Sequence, residues 1–446
     1  MSSESSISIS VSSSSSDDEL EEQIGESIER ITAHLQEELQ NPSPSRGPCL
    51  HRRYIDRGRA EVEQRLFRDY FAENPTYPEY KFRRWFRMRK SLFLKIVSDM
   101  EAAHDYFKQR RNAAGTLGFH PIQRCTAVLR MLAYGTHPDA LDETTRMSAR
   151  VARDALDLFC DLALIMYKPR YGREPTPNDI RKLYAHHAQV HGFPGMLGSL
   201  DCMHWRWNGC PSAWHGQYAK GQYGYPTVVL QAAASQDMWI WHSYFGAPGS
   251  HNGLNILNSS DFYTKLHNST APDSSFTLRG TQYRFGYYLV DGIYPERSIF
   301  VKTLAYPDDP QRRKFKRAQE RARKDIERAF GVLKKRFAIL AKPSLFTKKS
   351  TMMKVMFTCI ILHNMILEHE GHAICQYDEN EVIPNPQPIP VASPEYLQRV
   401  QIVRSRQIHG DLRRHLIDHL WTVDHIDLNM DPVNEYDGEY SDEDNI

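Results

Sequence analysis

Four short runs rich in apolar, β-branched and aromatic residues, at 196–200, 227–234, 238–245 and 283–290, are followed by two long helix-patterned stretches, 310–340 and 349–369. Runs of that length pack as strands, whereas the later stretches repeat their apolar residues at helical spacing. Strands first and long helices late restrict this part of the chain to a sheet layer covered by helices, an α/β or α+β architecture. The residues SQD between the second and third runs suit a hairpin turn. The segment VMFTCIILHNMIL, from Val355, is too short for a membrane span and carries His363 and Asn364, so it is expected as a buried core helix with no membrane association.

Upstream the texture is helical. IQRCTAVLRMLAYG and SARVARDALDLFCDLALIMY read as helices separated by THPDALDETTRM, and KPRYGREPTPNDI marks a boundary through its prolines and glycine. In KFRRWFRMRKSLFLKI, Phe82, Phe86, Phe93 and Ile96 fall at roughly helical spacing with arginines between them. This predicts a small all-α domain, compatible with either a helix-turn-helix or a plain bundle. The expected organisation is a Ser-rich, acidic disordered tail over 1–46, with a weak amphipathic helix through Ile24, Ile28, Ile31 and Leu35, and an α-helical domain over 47–168. A strand-containing domain follows over 169–370, then a C-terminal extension over 371–446 ending in the acidic segment NMDPVNEYDGEYSDEDNI.

The formal net charge of +1 conceals a basic body between acidic ends. From Arg312 to Arg336 twelve Lys or Arg stand against Glu320, Asp325 and Glu327. A solvated helix mixes signs more evenly, so Arg312, Arg313, Lys316, Arg317, Arg321, Lys324, Lys334 and Lys335 are candidate phosphate contacts, with a nuclear-localisation role for RRKFKRAQERARK also compatible. Seven scattered cysteines and an N-terminus without a basic-then-apolar leader predict a reduced, intracellular protein.

Three acids stand apart. Asp201 is read at the end of GMLGSLD, Asp291 at the end of YRFGYYLVD, and Glu327 inside the basic helical stretch about ten helical turns later. Two carboxylates at strand ends and one carried in by a helix make a set of hard oxygen donors of the kind Mg²⁺ or Mn²⁺ requires. Ile326, Phe330, Leu333 and Phe337 place Glu327 at the edge of a buried face, with Arg323 and Lys324 just before it.

The segments GSLDCMHWRWNGCPSAWHGQY, VVLQAAASQDMWIWHSYFGAPGSHN, YYLVDGIYP, KDIERAFGVLKKRFAIL and CIILHNMILE, in that order, resemble the DDE transposase domain of the PIF/Harbinger superfamily. RGPCLHRRYIDR and KFRRWFRMRKSLF resemble its N-terminal region, so the likeness covers about residues 47 to 370. It implies a ribonuclease-H-like mixed sheet with flanking helices, in which Asp201, Asp291 and Glu327 are the catalytic residues and hold two divalent metal ions, Mg²⁺ or Mn²⁺. Such a site cuts or joins double-stranded DNA without a covalent protein intermediate. The family often works with a separate Myb-like DNA-binding protein, and a nuclear location follows from that setting.

Two other chemistries use residues near Asp201. Cys202, His204, Cys210 and His215 are four zinc-type ligands, but their spacing fits no common structural zinc pattern. A Cys202 nucleophile lacks a sequence rationale. His204 is instead a candidate wall of the DNA site. In GSHNGLNIL this chain has Gly253 where the family often has an acid after Asn. That departure keeps open a second function, a domesticated transposase acting as a nuclear DNA- or chromatin-associated adaptor with chromatin proteins as partners and no catalysis. Oligomeric state is not legible.

Overall fold

The structure is a computed structural model that describes residues 55, 57–219, 221, 224–381 and 387–424. The expected tails, and the acidic amphipathic helix near Ile24, lie outside the described residues. The protein is mixed α/β: a helical N-terminal region followed by a five-stranded mixed sheet flanked by helices.

The N-terminal region comprises α1 (Arg59–Leu66), α2 (Glu79–Phe86), α3 (Lys90–Ala103), α4 (Pro121–Tyr134), α5 (Ala140–Thr145) and α6 (Ala149–Tyr171). KFRRWFRMRKSLFLKI is not one helix. Arg87 adopts a left-handed conformation with φ 63°, ending α2 and turning the chain into α3. Phe82, Phe86, Phe93 and Ile96 are all buried regardless, because the turn brings both apolar faces onto one core in which the rings of Phe82 and Phe86 stack at 4.1 Å. α4 begins on Pro121, with the side chain of His120 accepting from the Ile122 N–H in a capping box. α6 continues through Pro169 to Tyr171, three residues past the start of the expected boundary segment.

α7 (Pro177–His191) leads into the sheet, whose strands are β1 (Met196–Arg206), β2 (Thr227–Ala234), β3 (Ile240–Pro248), β6 (Tyr287–Val290) and β7 (Phe300–Lys302). A separate hairpin is formed by β4 (Phe276–Leu278) and β5 (Thr281–Tyr283). The main sheet runs in the order β3-β2-β1-β6-β7, with β1, β2 and β3 antiparallel and β6 and β7 parallel to β1. The expected single strand over 283–290 is therefore two strands in different sheets.

Short helices α8 (His215–Tyr218), α9 (Gly253–Ser259) and α10 (Phe262–His267) connect the strands. After β7 come α11 (Pro310–Arg336), α12 (Lys349–Glu370), α13 (Pro394–Arg404) and α14 (Arg406–Trp421). α11 shows a buried stripe of Phe315, Ala318, Ala322, Ile326, Ala329, Phe330 and Leu333, the spacing of a helix laid along a sheet. α12 meets the length and apolarity of a membrane helix, but most of it is buried inside the protein. Its Asn364 works as a strand substitute: Oδ1 accepts from Ile240 N at 3.0 Å and Nδ2 donates to Ile240 O at 2.9 Å, which satisfies the backbone of the edge strand β3. One core runs from Val62 in α1 to Cys375 beyond α12, joining the helical region to one face of the sheet.

Candidate active site

Asp201 does not end its strand. It is the sixth residue of β1, which continues to Arg206 because Ser199 through Arg206 all pair with β2. Strand alternation puts Ser199, Asp201, Met203 and Trp205 on one face, and α11 covers that face. Ser199 Oγ donates to Ala322 O at 3.0 Å, fixing the helix one and a half turns from Glu327 against the strand two residues from Asp201.

Asp291 follows the last residue of β6, as its sequence context implied. The same helix holds this strand end too. Buried Gln319 donates through Nε2 to Val290 O and to Val301 O, each at 3.1 Å, so one amide spans the ends of the parallel strands β6 and β7. Glu327 lies two turns further along α11 and keeps 47% of its side chain exposed. Asp325, two residues before it, faces inward, accepts from His191 Nε2 at 2.8 Å and pairs with Arg328. Burial would raise the Asp325 carboxyl, but His191 and Arg328 outweigh it and hold it below the usual range.

The three carboxylates gather at one end of the interface between β1, β6 and α11. Asp201 Oδ1 accepts from Cys202 N at 2.8 Å, and Asp291 Oδ1 accepts from Gly292 N at 2.6 Å. Asp201 Oδ2 instead faces the guanidinium of Arg323, 3.4 Å from Nη1, while Nη2 of the same arginine lies 2.9 Å from Glu327 Oε1. Burial raises the Asp201 carboxyl above the ordinary range. Its backbone hydrogen bond and Arg323 oppose that rise, and the negative charges of Glu327 and Asp291 add to it. Asp201 thus feels both other acids, and one cation stands between it and Glu327. Among the described residues no three His, Cys, Asp or Glu side chains form a ready-made metal cage. All three acids are hard oxygen donors, however, and the guanidinium already serves as a stand-in cation for two of them.

The remaining candidates separate. His204 shares the opposite face of β1 with Leu200 and Cys202, and its Nδ1 lies 2.9 Å from Thr227 Oγ1. Cys202 Sγ lies 3.4 Å from the hydroxyl of Tyr294, Cys210 is buried against Pro211, and His215 is exposed on α8. A side chain at Gly253 would meet Ile293 Cδ1 at 3.2 Å and the Tyr294 ring at 3.8 Å, so this position borders the turn that follows Asp291. Of the basic residues, Arg312, Arg313, Arg317, Lys324 and Lys335 are exposed along α11, whereas Lys316, Arg321 and Lys334 are partly covered. Lys316 donates to Ala305 O at 3.2 Å, and burial lowers the Lys334 ammonium from its usual value.

The sequence does not mark Ser199, Gln319 and Arg323 as site-building residues. Gln319 had a signal, being polar on the apolar stripe of α11. Arg323 was legible only as a cation one turn before Glu327.

Residues 169–374 match the plant transposon protein family, and residues 63–101 match a domain family of unknown function. A protein ALP1-like from Arabidopsis thaliana is 21% identical over 296 residues, which cover 65% of this chain and 71% of that relative. No solved structure matches the chain.

Proposed function

The chain is a transposase-derived protein of the Harbinger type, and from that premise we propose that it is a metal-dependent endonuclease acting on double-stranded DNA. Its fold is of the ribonuclease-H-like kind, a reading supported by the sheet order β3-β2-β1-β6-β7 with the site at β1 and β6. Asp201, Asp291 and Glu327 are the catalytic residues. The observation that carries this is the shared cation: acids from a central strand and from the covering helix converge on Arg323 while Asp291 acts electrostatically on Asp201.

The donor chemistry suits Mg²⁺ or Mn²⁺, which Asp201, Asp291 and Glu327 would hold. Bound there, divalent metal supplies a water made acidic enough to attack a phosphodiester and charge to stabilise the leaving oxygen. The protein's own contribution is placement. Ser199 and Gln319 lock α11 to β1, β6 and β7, so the carboxylates are positioned before substrate arrives. The exposed cations of α11 lie on the helix that carries Glu327 and would track the DNA backbone beside the site. A Myb-like partner would supply end recognition, and the nucleus is the corresponding location.

A second reading has specific support. Two of the three carboxylates are engaged by Arg323, and position 253 beside the Asp291 turn is glycine. Both suit a domesticated DNA- or chromatin-associated adaptor without catalysis. Nicking of supercoiled plasmid with Mg²⁺ or Mn²⁺, compared with Glu327→Gln and with and without a Myb-like partner, separates the two. Metal-dependent nicking lost in Glu327→Gln supports the endonuclease; DNA binding with no nicking under any condition supports the adaptor.

A further inference from the structure

We propose that Arg323 is a resident counter-cation of the carboxylate site, one that divalent metal must displace and that then turns to DNA phosphate. The inference rests on the metal site proposed above and adds a device that sets when the site loads.

The guanidinium reaches Asp201 Oδ2 through Nη1 and Glu327 Oε1 through Nη2, with four-fifths of its side chain covered. It therefore joins a strand carboxylate to a helix carboxylate. Like charges brought close in a partly covered site repel one another more strongly than in water, so the acids need a neutralising group when no metal is present. Arg323 is suited to this because its planar fork bonds two acceptors at once. The same oxygen atoms are the ones a divalent ion would take. A guanidinium left between them would then face a double positive charge at close range, so the two cations exclude each other.

Displacement has somewhere to go. Arg323 is adjacent to exposed Lys324, on the helix whose outer face carries Arg312, Arg313, Arg317 and Lys335. Swung outward, it joins that row beside the carboxylates, where a phosphate of bound DNA supplies the negative charge it has lost. Metal and DNA binding are then coupled: DNA offers Arg323 a new partner, which favours metal entry, and by reciprocity metal raises DNA affinity by the same factor.

The test uses the full chain and Mn²⁺ alone, titrated by electron paramagnetic resonance, beside Arg323→Gln, Arg323→Lys and Asp201→Asn. The expected result is Mn²⁺ binding at least tenfold tighter in Arg323→Gln than in wild type. Arg323→Lys should fall between them, because an ammonium lacks the two-carboxylate fork, and it carries the test if the Gln variant does not fold. DNA affinity, measured with non-cleaving Ca²⁺ present and absent, should rise with metal in wild type and lose that response in Arg323→Gln. Equal or weaker Mn²⁺ binding in both folded Arg323 variants, with Asp201→Asn still abolishing it, overturns the counter-cation and leaves the metal site standing. Wild type binding Mn²⁺ no better than Asp201→Asn overturns both.

Discussion

The buried guanidinium of Arg336 lies 2.8 Å from Nδ1 of His363, whose Nε2 donates to Met238 O at 2.9 Å. Arg336 can only donate, so His363 must accept at Nδ1 and carry its proton at Nε2. The ring is therefore neutral, and protonation would break the contact. Burial and then Arg336 push its pKa down to about 3, and burial pushes His187 to about 3 as well. In the unfolded chain both titrate near about 6.5. Their depressed values give stability that is present above that pH and is lost as pH falls toward 3, at about 1.4 kcal/mol per unit for each histidine. Urea midpoints should fall steadily between pH 6.5 and 4, and His363→Gln should show a shallower fall.

Asp201 is a carboxylate whose burial already opposes ionisation, so losing its charge costs the fold little. Asp201→Asn and Asp291→Asn should each stay within about 0.5 to 1 kcal/mol of wild-type stability. Both should abolish metal-dependent nicking. Circular dichroism melting beside the plasmid assay checks this, and unchanged nicking in either variant removes the proposed triad.

Gln319 links α11 to the ends of β6 and β7 through one amide. Gln319→Leu fills similar space but leaves the carbonyls of Val290 and Val301 without that donor, at a cost of about 1 to 3 kcal/mol. Because Val290 immediately precedes Asp291, nicking should fall by more than the lost folded fraction explains. Activity normalised to the folded population in urea is the measurement.

Arg317, Lys324 and Lys335 are exposed on α11, while Arg336 on the same helix is buried against His363. Replacing the three exposed cations by Gln should weaken DNA binding at low salt. It should also flatten the dependence of log affinity on log salt by about 0.9 for each phosphate contact removed. Fluorescence anisotropy over a salt series measures the slope; an unchanged slope removes the phosphate track.

Much of this architecture was legible in local pattern. The strand periods, the long amphipathic helix with Glu327 at the edge of its buried stripe, and the buried helix around His363 all follow from the spacing of apolar residues, which local sequence carries. The ordered motifs also carried the family resemblance. Local pattern is equivocal at three places. A left-handed Arg87 split one expected helix, β1 ran on past Asp201 because β2 was there to pair with it, and the run 283–290 divided between two sheets.

By itself, then, the sequence determined that strands precede two long helices in the second half and marked out three acids there, because periodicity and turn chemistry act over a few residues. The tertiary structure alone decided that Ser199 and Gln319 clamp α11 to the sheet, that Arg336 is buried and neutral His363 accepts from it, and that Arg323 sits between Asp201 and Glu327. Those outcomes depend on contacts between residues as much as 123 positions apart, and charge or polarity read along the chain does not say which side chain a folded sheet will bring opposite another.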